Sequence, residues 1–149
     1  FLDIQTYIQS GNVVFRSSER DSSSLDKSIK KAIFANYQFE VEVIMRTLDE
    51  MIETVKHNPF FNSNSADIKK LAVVFFQQQP ETEKFLNIEE LDAGDDLFSH
   101  TDREIFLYVE KGFAKTKLTN VFFEKKLGIP ATTRNWRTVT TLIGIGQSL

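Results

Sequence analysis

A fold that mixes strands and helices is what the sequence predicts, and three observations predict it. Apolar residues alternate with period two over Asp3–Gln9 and Glu104–Val109, the pattern of strands covered on one face. Apolar stripes at helical spacing stand behind capping signals near Ser23 and Thr47. Leu71–Phe76 is an unbroken apolar run, which suits a strand covered on both faces. At 149 residues and 41% hydrophobic content, the chain can bury a core as one domain, or as two small subdomains sharing an interface.

In chain order, Ile4, Thr6 and Ile8 oppose Gln5, Tyr7 and Gln9 along the first strand. Ser10-Gly11-Asn12 then reads as a hairpin turn into Val13–Arg16, because Gly and Asn accept positive φ at little cost. Ser23-Ser24-Leu25-Asp26 resembles a capping box, and Leu25, Ile29, Ala32 and Ile33 form one helical face ending near Asn36 or Tyr37. Val41–Met45 is expected to be a short strand. Thr47-Leu48-Asp49-Glu50 is a second capping box, followed by the stripe Leu48, Met51, Ile52 and Val55, and Pro59 stops the helix.

Phe61–Asp67, small and polar, is the best linker candidate. A short helix is expected over Glu81–Leu86 and a solvated acidic loop over Glu89–Asp96. Leu118, Val121 and Phe122 are expected on the inner face of the next helix. Gly128 fits a left-handed stop, with Ile129 packing back on Phe123 and Pro130 preventing continuation. Thr132 or Thr133 is expected to cap the last helix, whose buried face is Trp136, Val139 and Ile143.

Charge is distributed unevenly. Between Lys111 and Arg137 seven cationic side chains and one carboxylate give +6, while the chain as a whole is −3, which leaves −9 elsewhere. An anionic partner would therefore sit on this segment. The modest net charge argues against a general nucleic-acid coat protein.

Several chemistries are excluded or disfavoured. With no cysteine, there is no thiolate nucleophile, disulfide or cysteine metal site, which suits a reducing cytoplasm. His57 and His100 lack a second ligand at helical spacing, so no metal site is expected. Gly144-Ile145-Gly146 follows helical sequence rather than a strand, so it is not a dinucleotide fingerprint, and no cofactor is expected. No apolar run is long enough to cross a bilayer.

The polar set on and around the basic segment is the candidate ligand-binding site. Arg134 and Arg137 would supply charge at a helix N-terminus, with Lys115 and Lys117 approaching from the preceding loop. Asn120 and Asn135 would supply directional hydrogen bonds, and Gln9, Ser10, Gly11 and Asn12 the opposite wall. No catalytic residue stands out. The function expected is a binding module for an anionic small molecule or nucleic acid. A small cytoplasmic enzyme acting on a phosphate-containing substrate, or a protein–protein interaction domain, are the alternatives.

Thr6–Phe15, Lys115–Asn120 and Leu127–Val139 together resemble the bacterial family called domain of unknown function 1697. The resemblance implies an α+β fold. A ferredoxin-like subdomain within residues 1–60 would join a second small α/β subdomain with a C-terminal helical pair over residues 61–149. It confers no activity. Members typically begin with a strand and helix that this chain lacks. The first strand of such a plait is central, so the natural protein is expected to extend beyond Phe1, or another chain to pair with the Ile4–Gln9 and Val41–Met45 strands.

Overall fold

Residues 1–7, 11–61 and 67–149 are described by a computed structural model of the chain. In order, the first elements are β1 (Leu2–Tyr7), β2 (Asn12–Arg16), α1 (Ser22–Tyr37), α2 (Leu48–Lys56) and β3 (Leu71–Phe76), the last preceded by a 3-10 turn at Ile68–Lys70. Then come α3 (Thr82–Glu89), β4 (Leu97–His100), β5 (Glu104–Tyr108), α4 (Asn120–Leu127), β6 (Ala131–Asn135) and α5 (Trp136–Ser148). The fold is α+β. β1 and β2 form an antiparallel hairpin, and the other strands form an antiparallel sheet in the order β4-β5-β3-β6.

β3 explains the architecture. All its residues are buried, as the unbroken apolar run predicts. Because successive side chains point to opposite faces, Leu71, Val73 and Phe75 serve one core while Ala72, Val74 and Phe76 serve another. On the first face pack Met51 and Val55 of α2 with Trp136, Val139 and Ile143 of α5. On the second pack Phe85 and Ile88 of α3 with Phe123 and Leu127 of α4. Helices thus cover both faces of the sheet. Gly144 and Gly146 lie inside α5 rather than after it, and a Cβ at Gly146 would come within 3.1 Å of Leu48, so its bareness lets α2 and α5 approach.

Local signals set several boundaries as expected. Thr47 accepts from the Glu50 amide at 3.1 Å and Glu50 returns the bond at 3.0 Å, a complete capping box. Gly128 ends α4 at φ 71, and Ile129 joins the core that holds Phe123. α1 starts two residues earlier than its sequence signal, because Asp21 rather than Ser23 is the cap and accepts from the Ser23 amide at 3.1 Å. α3 runs on to Glu89 because Phe85 and Ile88 both reach the core.

Other expectations are corrected. Thr132 and Thr133 do not cap a helix; Ala131–Asn135 is a strand pairing with β3 from Phe76↔Ala131 to Ala72↔Asn135. β-Branched threonines suit a strand, and the open edge of β3 supplied the backbone partners. Asn135 is the cap instead, accepting from the Thr138 amide at 2.8 Å. In α4 the buried positions are Phe123 and Leu127, and Val121 is exposed, since the helix presents the neighbouring stripe to the sheet.

Val41–Met45 forms no strand. Among the described residues no backbone ladder holds it; the Gln77 side chain donates to Glu42 and to the Val43 carbonyl, while Ile44 packs against the α2–α5 core. In β1, Leu2 and Ile4 are exposed rather than half-covered, because β2 is the only strand paired with it among the described residues. The second half of the expected first strand and most of the expected linker lie outside the described residues. Among the described residues, no helix is long and apolar enough to cross a membrane.

Candidate functional site

The loop between β5 and α4 is built from its ends inward. Val109 is buried, and its amide donates to the Lys70 carbonyl at 2.8 Å. Leu118 is buried at the other end. Between them the chain turns twice: the Gly112 amide donates to Val109 at 3.4 Å and the Lys115 amide to Gly112 at 3.3 Å. Gly112 sits at φ 92, a conformation that penalises a side chain and that glycine adopts freely.

Asp96, the residue before β4, clamps this loop from the facing side. One carboxylate oxygen accepts from the Glu110 amide at 2.9 Å and the other from the Thr116 hydroxyl at 2.7 Å. The Thr116 oxygen in turn accepts from the Leu118 amide at 3.1 Å, so the clamp sets the entry to α4. The result is a cleft of about 230 Å³ with Lys111, Lys115 and Lys117 on one wall and Ala93–Asp96 on the other. Lys111 lies 3.8 Å from Asp95, a contact between exposed groups that is worth little in water. Lys115 and Lys117 have no ion-pair partner among the described residues.

A wider cleft of about 550 Å³ continues from Ala93, Gly94 and Asp96 along β4 to His100. The His100 ring stacks on Phe85 with centroids 4.0 Å apart. Its Nε2 lies 3.1 Å from Glu89 and its Nδ1 3.1 Å from the Thr101 carbonyl, so both nitrogens face acceptors.

Arg134 belongs to a separate group. It lies opposite Val73 in the β6–β3 register and therefore faces the α2–α5 side of the sheet. Its Nε donates to Asn12 Oδ1 at 2.6 Å, and one terminal nitrogen donates to the Thr132 hydroxyl and the Thr133 carbonyl. Asn12, itself buried, donates to the Tyr7 carbonyl at 3.0 Å. This arrangement pins the hairpin to the sheet, and burial pulls the Arg134 guanidinium below its ordinary pKa.

The residues predicted from sequence therefore fall into groups. Asn12 and Arg134 are in direct contact, so the Gly11 turn and the start of the tryptophan-bearing helix are neighbours. Asn135 is used as the α5 cap, and Arg137 is exposed in the first turn of that helix. Lys115 and Lys117 line the cleft beside β4, and Asn120 opens α4 on the other face of the sheet. β4 and β6 are opposite edges, roughly 14 Å apart at ordinary strand spacing. Gln9 and Ser10 lie outside the described residues. Lys111 and Asp96 were missed as site residues: Lys111 shows only as charge, and Asp96 meets its partners across 14 and 20 positions, with no local signature. Among the described residues, no group of three metal-ligating side chains converges.

The fold and cleft define a small α+β protein with a cationic loop above its sheet edge. The profile of the family described as "Protein of unknown function (DUF1697)" matches residues 1–106, and the chain belongs to that family. No curated protein matches the chain. Among solved structures it is similar to the conserved bacterial protein SP0830 from Streptococcus pneumoniae, at 18% identity and a TM-score of 0.73. That match covers 98% of this chain and 81% of the neighbour, and it speaks for the fold alone.

Proposed function

We propose that the chain is a binding module for a small anionic ligand carrying a phosphate or carboxylate, held at Lys111, Lys115 and Lys117. The observation that supports this is the set of three ammonium groups on one wall of a single cleft, two of them with no carboxylate partner among the described residues. Ammonium groups gathered this way repel one another, and an anion relieves that repulsion while accepting charge-assisted hydrogen bonds. Asp95 and Asp96 on the facing wall leave the cleft one positive charge in excess, which suits a compact anion better than a polyanion. Arg134 is not assigned to the ligand, since it already bonds Asn12, Thr132 and Thr133.

The test is calorimetric titration with inorganic phosphate and with phosphate monoesters at low and high salt. Binding should weaken as salt rises. Lys115→Ala with Lys117→Ala should lower affinity by about tenfold or more, while Arg137→Ala leaves it unchanged. Affinity that ignores the double lysine variant would overturn the assignment.

A further inference from the structure

Resting on that reading, we infer that the anion is the C-terminal carboxylate of a partner protein, whose last residues add as an antiparallel strand to the free edge of β4. β4 ends the sheet order β4-β5-β3-β6, so only β5 pairs with it among the described residues. Two bonds fix which of its backbone groups are spent. The Val109 amide donates to the Lys70 carbonyl at 2.8 Å, so Leu107 and Ile105 engage β3 and leave Tyr108 and Phe106 for β4. The Thr101 amide donates to the Glu104 carbonyl at 3.0 Å, in the same alternation. Leu97 and Ser99 are therefore bonded to β5, while the amides and carbonyls of Phe98 and His100 point away from it. Those outward groups have no partner among the described residues.

The wider cleft of about 550 Å³ runs along this edge: all four residues of β4 and the loop before it line the space, and no residue of β5 does. Leu91, Ala93 and Phe98, packed on the α3–α4 core, give it an apolar wall. An unpaired strand edge that leads into a cationic pocket suits an extended tail, with main chain on the edge and the terminal carboxylate in the pocket. The single positive charge in excess among the lysines matches a carboxylate better than a phosphate dianion. Polarity follows from Asp96, which precedes Leu97 and lines both clefts. The carboxylate lies at the start of β4, so the tail enters beside His100 and runs antiparallel to β4. At that entry Glu89 lies 3.1 Å from His100 Nε2, and Asp92 lines the same groove. From Leu97 to His100 is about 10 Å of strand, so these carboxylates favour a basic side chain about three residues before the terminus.

Titration of the full chain with the peptide acetyl-Lys-Val-Thr-Val, its C-terminal amide, acetate and inorganic phosphate separates the contributions. The free acid should bind about tenfold more tightly than the amide or acetate, and Lys115→Ala with Lys117→Ala should abolish its advantage over the amide. Methylating the peptide nitrogens one at a time reads the ladder. Those that face β4 should cost about tenfold and the alternate ones little. Glutamate in place of the peptide's lysine should weaken binding, and tighter binding overturns the placement of the basic side chain. Equal affinity for acid and amide, or a flat methylation profile, overturns the strand assignment. Acetate or phosphate binding that the double lysine variant removes leaves the anion reading standing in that case. Failure of peptide, acetate and phosphate alike removes both.

Discussion

Arg46 donates to the backbone carbonyls of Met45, Phe76 and Arg103 and pairs with Glu104 across 3.2 Å. Its side chain is 5% exposed, and Glu104 also accepts from the Thr101 hydroxyl at 2.8 Å. This guanidinium does for residues 40–46 what a strand partner would otherwise do: it joins them to the ends of β3 and β5. Burial, with Arg103 nearby, pulls its pKa below the ordinary arginine value. Arg46→Ala would leave Glu104, whose side chain is only 13% exposed, without its cation, and a loss of about 3 kcal/mol is expected from urea unfolding. Arg46→Met with Glu104→Gln should recover most of that loss, because no unpaired charge then remains. Nothing in the local sequence marks Arg46. Apart from the neighbouring Met45 carbonyl, its partners lie 30 to 58 positions away, beyond any pattern of period or capping.

At the scale of elements, the stops and starts that depend on neighbouring residues were readable. Thr47 with Glu50 at α2 and Gly128 at the end of α4 both act within a few positions. Gly128→Ala should cost about 1 kcal/mol, through the left-handed backbone rather than a clash, since the added Cβ would meet Lys84 at an ordinary 3.7 Å. A smaller drop in thermal midpoint for Gly128→Asn, which tolerates that backbone, would support the assignment. Elements that depend on a distant edge were misread. β6 looks like a helix start because Thr and Asn are capping residues, yet β3 offers Ala131–Asn135 an open edge. Val41–Met45 looks like a strand because it is apolar and branched, yet it finds side chains instead of a ladder.

Across the whole molecule, burial is concentrated in the four-stranded sheet and its helices. Every residue of β3 is buried, whereas α1 buries none of its residues. Local stability follows buried apolar contact, so amide exchange should report two levels of protection. Amides of β3 and β5 should exchange near the rate of global unfolding, and those of Ser22–Tyr37 orders of magnitude faster. Uniform protection across both, measured by mass spectrometry, would contradict this uneven distribution. The charge asymmetry is likewise a property of the whole fold. The basic segment crosses the sheet, so Lys111, Lys115 and Lys117 end beside β4, whereas Arg134 and Arg137 end on β6 and the start of α5.

The sequence by itself determined what short-range chemistry controls: the mixture of strands and helices, the doubly covered Leu71–Phe76 strand, the capping box at Thr47, the stop at Gly128 and the buried Trp136. It also marked Lys115 and Lys117 as unusual, through charge alone. Tertiary structure decided which edges were open to be paired, that Asn12 and Arg134 meet, that Asp96 clamps the lysine loop, and that the cationic residues divide between two places. The physical reason is range. Periodicity and capping act over one or two turns, whereas a sheet edge or a carboxylate clamp joins residues whose separation along the chain leaves no local trace.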